Sequence, residues 1–152
     1  MNELKEIIVE GTVKTPRIEF NHLSGDLILQ GRSFPEDAES VYEPLMAWIN
    51  EYVKMPCNTT NLHLKLEYFN SASLLWIVEF IRGLSKIDKE ESSLYIHLYS
   101  EGANFDIRDM NEFKDVICSV FENIGKLKIK AGIKIHGTDS DGKVVVDTTI
   151  IT

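Results

Sequence analysis

The chain has 152 residues and a formal net charge of -8 at pH 7, with 43% hydrophobic and 26% charged residues. This supplies enough apolar material for one packed domain over residues 1–152 without covalent staples. The acidic balance argues against nucleic acid and against an anionic membrane surface as partners, because both demand clustered Lys and Arg.

The two cysteines, Cys57 and Cys118, lack CxxC spacing, and the four histidines (His22, His63, His97, His136) are scattered without a metal-ligand repeat. Each His reads as a solvent-facing strand residue, and neither a metal nor a cofactor is expected. The opening MNELKEIIVEGT has no secretory pattern, and no apolar run reaches the roughly 18 residues of a membrane helix. A cytoplasmic protein without a membrane partner is the expectation.

In chain order, Glu6 to Gly11 reads as a short strand, and Arg17 to Asn21 alternates polar and apolar residues as a half-buried strand does. Ser24-Gly25-Asp26 is turn chemistry, and Leu27 to Gly31 resumes as a strand, completing an antiparallel hairpin. Ser33-Phe34-Pro35-Glu36-Asp37 signals a helix start, with Ser33 a possible cap. The helix that follows places Val41, Leu45, Trp48, Ile49 and Tyr52 on one face. Pro44 interrupts it, so the chain either kinks there or forms a short turn before the main helix.

Leu62 to Leu84, LHLKLEYFNSASLLWIVEFIRGL, is the central stretch. It starts as a strand with Leu62, Leu64, Leu66 and Tyr68 on the core face, breaks at Asn70 and Ser71, and continues as an apolar helix from Ala72 to about Ile87. Leu74, Ile77, Val78, Phe80, Ile81 and Leu84 form its broad apolar arc. Leu75 falls on the polar side and Trp76 at the arc's edge, which makes both candidates for a partner interface. Ser93 to Tyr99 reads as a strand. Met110 to Ile124 reads as a helix with Phe113, Val116, Ile117, Val120, Phe121 and Ile124 as its stripe and Gly125 as its stop. Strands over Lys126–His136 and Lys143–Ile151 follow, joined by a turn over Gly137–Gly142. The order implies right-handed crossovers and a mixed sheet with about three helices mainly on one face.

Chemistry-bearing patterns are few. The chain has no GxGxxG after a strand, no GxxxxGK[ST] and no GxSxG elbow. Ser71 stands where a strand's carboxyl end meets a helix amino end, the usual ligand position in α/β folds. It has no neighbouring His or Lys to serve as a base, so a catalytic nucleophile is disfavoured. Its alternative role is the helix N-cap. The carboxylates Asp106, Asp109, Glu112 and Asp115 lack calcium-loop spacing and read as a solvated start of a helix.

Three ordered motifs add a resemblance: Gly31-Arg32-Ser33-Phe34-Pro35-Glu36-Asp37-Ala38, Tyr42-x-Pro44-Leu45-x-x-Trp48, and Leu66-Glu67-Tyr68-Phe69-Asn70-Ser71-Ala72-Ser73. Over roughly Gly11 to Leu84 the chain resembles the SiaC-type regulatory phosphoproteins of bacteria. The resemblance implies a STAS-like, anti-anti-sigma-factor-like α/β domain with no enzymatic activity of its own. It implies a phosphoacceptor at the hydroxyl after the Asn, here Ser71 where the family usually has Thr, with Ser73 the competing position. The implied partners are a protein kinase with a histidine-kinase-like ATPase domain, a metal-dependent PP2C-like phosphatase and, in the unphosphorylated state, a diguanylate cyclase. Asn70, Ser71, Ala72, Ser73, Leu75 and Trp76 are the expected partner-binding residues. The runner-up reading is a STAS-like domain binding a small ligand, a nucleotide or lipid, at the same corner. The stretch Tyr99 to Asp106 departs from the family's aromatic strand and acidic run, so the partner surface in that half is expected to differ.

Overall fold

The computed structural model describes residues 4–99, 107–138, 141 and 143–151. The elements run β1 (Ile7–Val9), β2 (Arg17–Phe20), β3 (Asp26–Ser33), α1 (Ala38–Tyr52), β4 (Thr59–Phe69), α2 (Ser71–Leu84), β5 (Ser93–Tyr99), α3 (Ile107–Ile124), β6 (Lys130–Thr138) and β7 (Val144–Ile150). They build a seven-stranded sheet whose spatial order is the chain order. β1, β2 and β3 pair antiparallel, β3 to β6 pair parallel, and β7 returns antiparallel to β6.

Three successive crossovers step the same way along the sheet. Because such connections are right-handed, α1, α2 and α3 fall on one face, and among the described residues the other face carries no helix. The core lies between them. Ile18, Phe20, Leu27, Leu29, Leu62, Leu64, Leu66, Leu94, Ile96, Leu98 and Ile133 project from the strands onto Tyr42, Ile49, Ile77, Phe80, Ile117 and Phe121 of the helices. Full burial of each such side chain contributes about 1.5–3 kcal/mol. The β2–β3 turn needs its glycine: Gly25 sits at φ 80, and a Cβ there would lie 2.3 Å from the Thr59 carbonyl oxygen.

The mixed sheet, the amino-terminal hairpin and the one-sided helices agree with the sequence reading. Several local expectations do not. Ser33 is no helix cap: it ends β3 and is buried, while Asp37 caps α1 by accepting from the Ser40 N–H at 3.3 Å. Of the two outcomes expected at Pro44, a separate turn up to Ser40 is not seen: α1 runs from Ala38 to Tyr52 with Pro44 inside it. Pro44 lies on the exposed side, as does Ser40, whose carbonyl loses its partner, so water can serve that group. Tyr42, not Val41, belongs to the buried stripe. The α2 helix starts one residue early and stops at Leu84.

Val116 and Ile124 of α3 stand at the exposed margin of their stripe, and Met110 takes a core place instead. β6 starts at Lys130 and continues through Gly137 and Thr138, which the sequence suggests as turn. Asp139, Ser140 and Gly142 of that turn, and Ser100 to Asp106, lie outside the described residues.

Tyr68 is the most consequential difference. Alternation places it with Leu66 on the core face, yet it is 50% exposed. The β3–β4 register slips between Gly31 and Arg32: Gly31 pairs with Leu66, but Arg32 pairs with Tyr68. Glu67 is therefore an extra residue in β4, a β-bulge, and every side chain beyond it changes face. Gly31, at φ 111, supplies the left-handed backbone next to the slip. Phe69 turns inward to meet Phe113 at a tilt, with ring centroids 4.9 Å apart.

Candidate functional site

The bulge delivers the end of β4 to a corner shared with β3 and α2. Asn70 N–H donates to the Ser33 carbonyl at 2.9 Å, which ties the start of α2 to the end of β3. Asn70 is also the N-cap: its backbone is extended (φ -91, ψ 177) and its side-chain oxygen accepts from the Ser73 N–H at 2.9 Å. The capping role that Ser71 could have filled is thus taken. Ser71 is the first helical residue, exposed, and its hydroxyl makes no hydrogen bond among the described residues.

Ser73 has the opposite environment. It is 0% exposed, its Oγ donates to the Ser33 carbonyl at 3.0 Å, and it lies 2.6 Å from Ser33 Oγ. Ser33 Oγ in turn bonds the Tyr42 hydroxyl. This closed set of three hydroxyls joins β3, α1 and α2 beneath the corner, and burial raises the pKa of Tyr42 above the usual phenol value. Two serines two positions apart are thereby separated by chemistry: one is presented to solvent and the other is part of the core.

Around Ser71 the surface is apolar and open. Ala72 is exposed, and Leu75, one turn on, is 68% exposed. Trp76 is half-buried and stacks on Tyr42 with centroids 6.4 Å apart. Phe34 and Tyr68, which the sequence reading does not place at the surface here, meet edge to face with centroids 5.7 Å apart. Phe34 directly follows Ser33, the partner of Asn70, so this pair borders the same corner. Gly31, which opens the first of the three motifs, is the one signal that could have revealed them. The first turn of α2 holds no carboxylate.

A second cluster lies on the sheet face opposite the three helices, where the sequence reading expects scattered, solvent-facing histidines. His63, His97, His136 and Tyr99 instead stack across β4, β5 and β6, with centroids 4.4 Å (His63–His97), 5.1 Å (His97–His136) and 4.3 Å (Tyr99–His136) apart. His97 is only 7% exposed. One proton arrangement satisfies the set. His63 Nε2–H donates to Asp26 Oδ1 at 3.1 Å, and its Nδ1 accepts from the Tyr99 hydroxyl at 2.7 Å. Asn61 Oδ1 accepts from His97 Nε2–H at 2.7 Å, and His97 Nδ1 accepts from His136 Nε2–H at 2.8 Å. Burial, reinforced by the neighbouring His63, His136 and Lys134, lowers the pKa of His97 to about 3, and burial likewise lowers that of His63. Strand pairing explains the assembly: His63 is directly opposite His97, and Tyr99 is opposite His136. Residues 34 to 39 positions apart in sequence meet only through that register.

Comparison with known proteins bears on the Ser71 corner. Residues 9–126 match the family model described as SiaC family regulatory phosphoprotein. A relative from Pseudomonas aeruginosa (strain UCBPP-PA14), described as uncharacterized, is 24% identical over 78 residues, which are 51% of this chain; the chain spans 62% of that relative's length. Apo-SiaC from Pseudomonas aeruginosa has a similar structure, with a TM-score of 0.61 at 21% identity over 84% of this chain and 98% of that one. A chain in the structure of the diguanylate cyclase SiaD in complex with its activator SiaC, from the same species, aligns with a TM-score of 0.63 at 21% identity over 72% of this chain and 90% of that one. The matched residues include the bulge, the Asn70 cap, Ser71 and α2. The chain belongs to the SiaC family of regulatory phosphoproteins.

Proposed function

We propose that this chain is a non-enzymatic switch in which Ser71 is the phosphoacceptor. The observation that carries the reading is the contrast between Ser71, exposed and uncommitted, and Ser73, buried and bonded. A protein kinase with a histidine-kinase-like ATPase domain adds the phosphate and a PP2C-like phosphatase removes it. The unphosphorylated corner, formed by Asn70, Ser71, Ala72, Leu75 and Trp76 with Phe34 and Tyr68, binds an effector. A diguanylate cyclase is the proposed effector class, by analogy with the SiaC that activates SiaD. Ser73 acts beneath this surface and holds the corner in shape.

The electrostatics support a switch that leaves the fold intact. Phosphorylation adds about -1.5 to -2 charges and three acceptor oxygens. At the first position of a helix these meet N–H groups and the positive end of the dipole, and the first turn of α2 has no carboxylate to repel them. The effector faces a different balance. Burying Leu75 and Tyr68 against a partner would also desolvate the dianion, at a cost of several kcal/mol unless the partner supplies Arg or Lys. The test is a pulldown of a candidate effector with wild type, Ser71→Ala and Ser71→Asp, alongside phosphorylation by the kinase with ATP. Ser71→Ala is expected to bind whether or not the kinase is present, and Ser71→Asp to bind weakly; equal binding by both variants would overturn the reading.

A further inference from the structure

On the sheet face opposite the three helices, β5, β6 and β7 carry residues that the Ser71 corner does not use. Strand pairing places them: Tyr95 is opposite Gly132, Gly132 opposite Ile150, Lys134 opposite Thr148 and His136 opposite Val146. Paired residues share a face, and Ile133, between Gly132 and Lys134, is buried on the helix side. The Tyr95 ring rests on Gly132, where a Cβ would lie 3.3 Å from both Cδ1 and Cε1 of the ring. Lys134 Nζ lies 4.4 Å from the centroid of that ring. Val146 and Ile150 are exposed, as is Lys130.

An apolar row on β7 thus runs beside a cationic row on β6. Lys130 and Lys134 are roughly 13 Å apart along the strand, and neither is ion-paired among the described residues. The described positions of β5, β6 and β7 on this face hold no carboxylate, in a chain whose formal net charge is -8. Asp147, the acidic residue of β7, pairs with Ile135 and belongs to the other face. Lys130, Lys134, Val146 and Ile150 all lie beyond residue 126, where the family match ends.

We propose that an acidic amphipathic helix of a partner protein docks along β6 and β7 on this face. Its apolar stripe covers Val146 and Ile150, and its carboxylates, two turns or about 11 Å apart, reach Lys130 and Lys134. Backbone groups of a sheet point within its plane, and those of β6 are bonded to β5 and β7, so the face offers side chains alone. A helix bonds its own backbone and brings side chains alone, as α1, α2 and α3 do on the opposite face. Charge sets the sign of the partner. An acidic flank meets two unpaired ammoniums and no carboxylate, whereas a basic flank opposes them. Physiological salt screens the chain's other carboxylates over about 8 Å.

Fluorescence anisotropy of the intact chain with a labelled synthetic peptide tests this. The probe is about 18 residues of Leu, Ala and Glu, long enough to form a helix, with one leucine stripe flanked by glutamates. Its counterpart carries Lys for every Glu. Wild type is expected to bind the acidic peptide and not the basic one. Lys134→Glu and Val146→Asp are each expected to weaken that binding about tenfold. Lys130→Glu/Lys134→Glu is expected to lose the acidic peptide and gain the basic one, which also shows that it folds. No binding of the acidic peptide, equal binding of both peptides, or an equal loss in Lys86→Glu, just after α2, would each overturn the proposal. So would a preference for phosphatidylserine vesicles or oligothymidylate over the acidic peptide.

Discussion

Asn70 Oδ1 accepts the Ser73 N–H at 2.9 Å, and this one bond sets both the start of α2 and the freedom of the residue between them. A cap at Asn70 makes Ser71 the first helical residue and leaves its hydroxyl uncommitted. A cap at Ser71 itself would have engaged that oxygen with the backbone. Asn70→Ala is therefore expected to destabilise the protein by about 1 kcal/mol, and Asn70→Asp to retain most of the stability. Urea unfolding midpoints measure both.

The two serines should separate cleanly. Ser71→Ala removes an exposed hydroxyl and is expected to change stability by less than about 0.5 kcal/mol. Ser73→Ala leaves Ser33 short of a buried partner and is expected to cost about 1–3 kcal/mol. Equal effects in denaturant unfolding would contradict the division of roles between a presented hydroxyl and a structural one.

Close packing of α1 on α2 is a third point of test. A Cβ at Gly83 would lie 2.6 Å from the Met46 terminal methyl and 3.1 Å from Ile49 Cγ2. Met46 can move, but a branched side chain also meets the buried Ile49. Gly83→Val is expected to destabilise by about 1–3 kcal/mol through overpacking, seen as a lowered Tm.

The histidine array predicts a specific acid sensitivity. His97 is held neutral to about pH 3, and His63 is also shifted down, whereas in the unfolded chain both bind protons near pH 6.5. Below pH 6.5 the unfolded state therefore takes up more protons. The contribution of these groups is complete above that pH and is lost as pH falls from 6.5 toward 3, by up to about 1.4 kcal/mol per pH unit for one proton. The mechanism is visible in the bonds: a proton on His97 Nδ1 would face His136 Nε2–H. Denaturant midpoints at pH 7 and pH 5 should show a loss in wild type that is smaller in His97→Gln.

Much of the architecture was legible because hydrophobic period and turn chemistry are local. The Arg17–Asn21 and Leu27–Gly31 strands, the α2 arc around Ile77 and Phe80, and the Gly125 stop at φ 88 follow from neighbours in sequence. What escaped depends on pairing between distant residues. Tyr68 changes face because Gly31 and Arg32, on another strand, skip Glu67. His63 and His97 look dispersed until the parallel register sets them side by side. The cap is a finer case: Asn70 and Ser71 are both good N-cap residues, and the bond from Asn70 N–H to the Ser33 carbonyl helps to decide between them. At the candidate site, the exposure of Ser71 was legible from the break in pattern and that of Leu75 from its place on the polar side of the helix, while the exposure of Tyr68 was not.

The most direct test is residue-level mass spectrometry of the protein recovered from cells that make it, comparing wild type with Ser71→Ala. Phosphate is expected on Ser71 and not on Ser73, and the modification is expected to be lost in the variant. Phosphate on Ser73, or on another residue while Ser71 stays bare, would contradict the assignment of Ser71 as the acceptor.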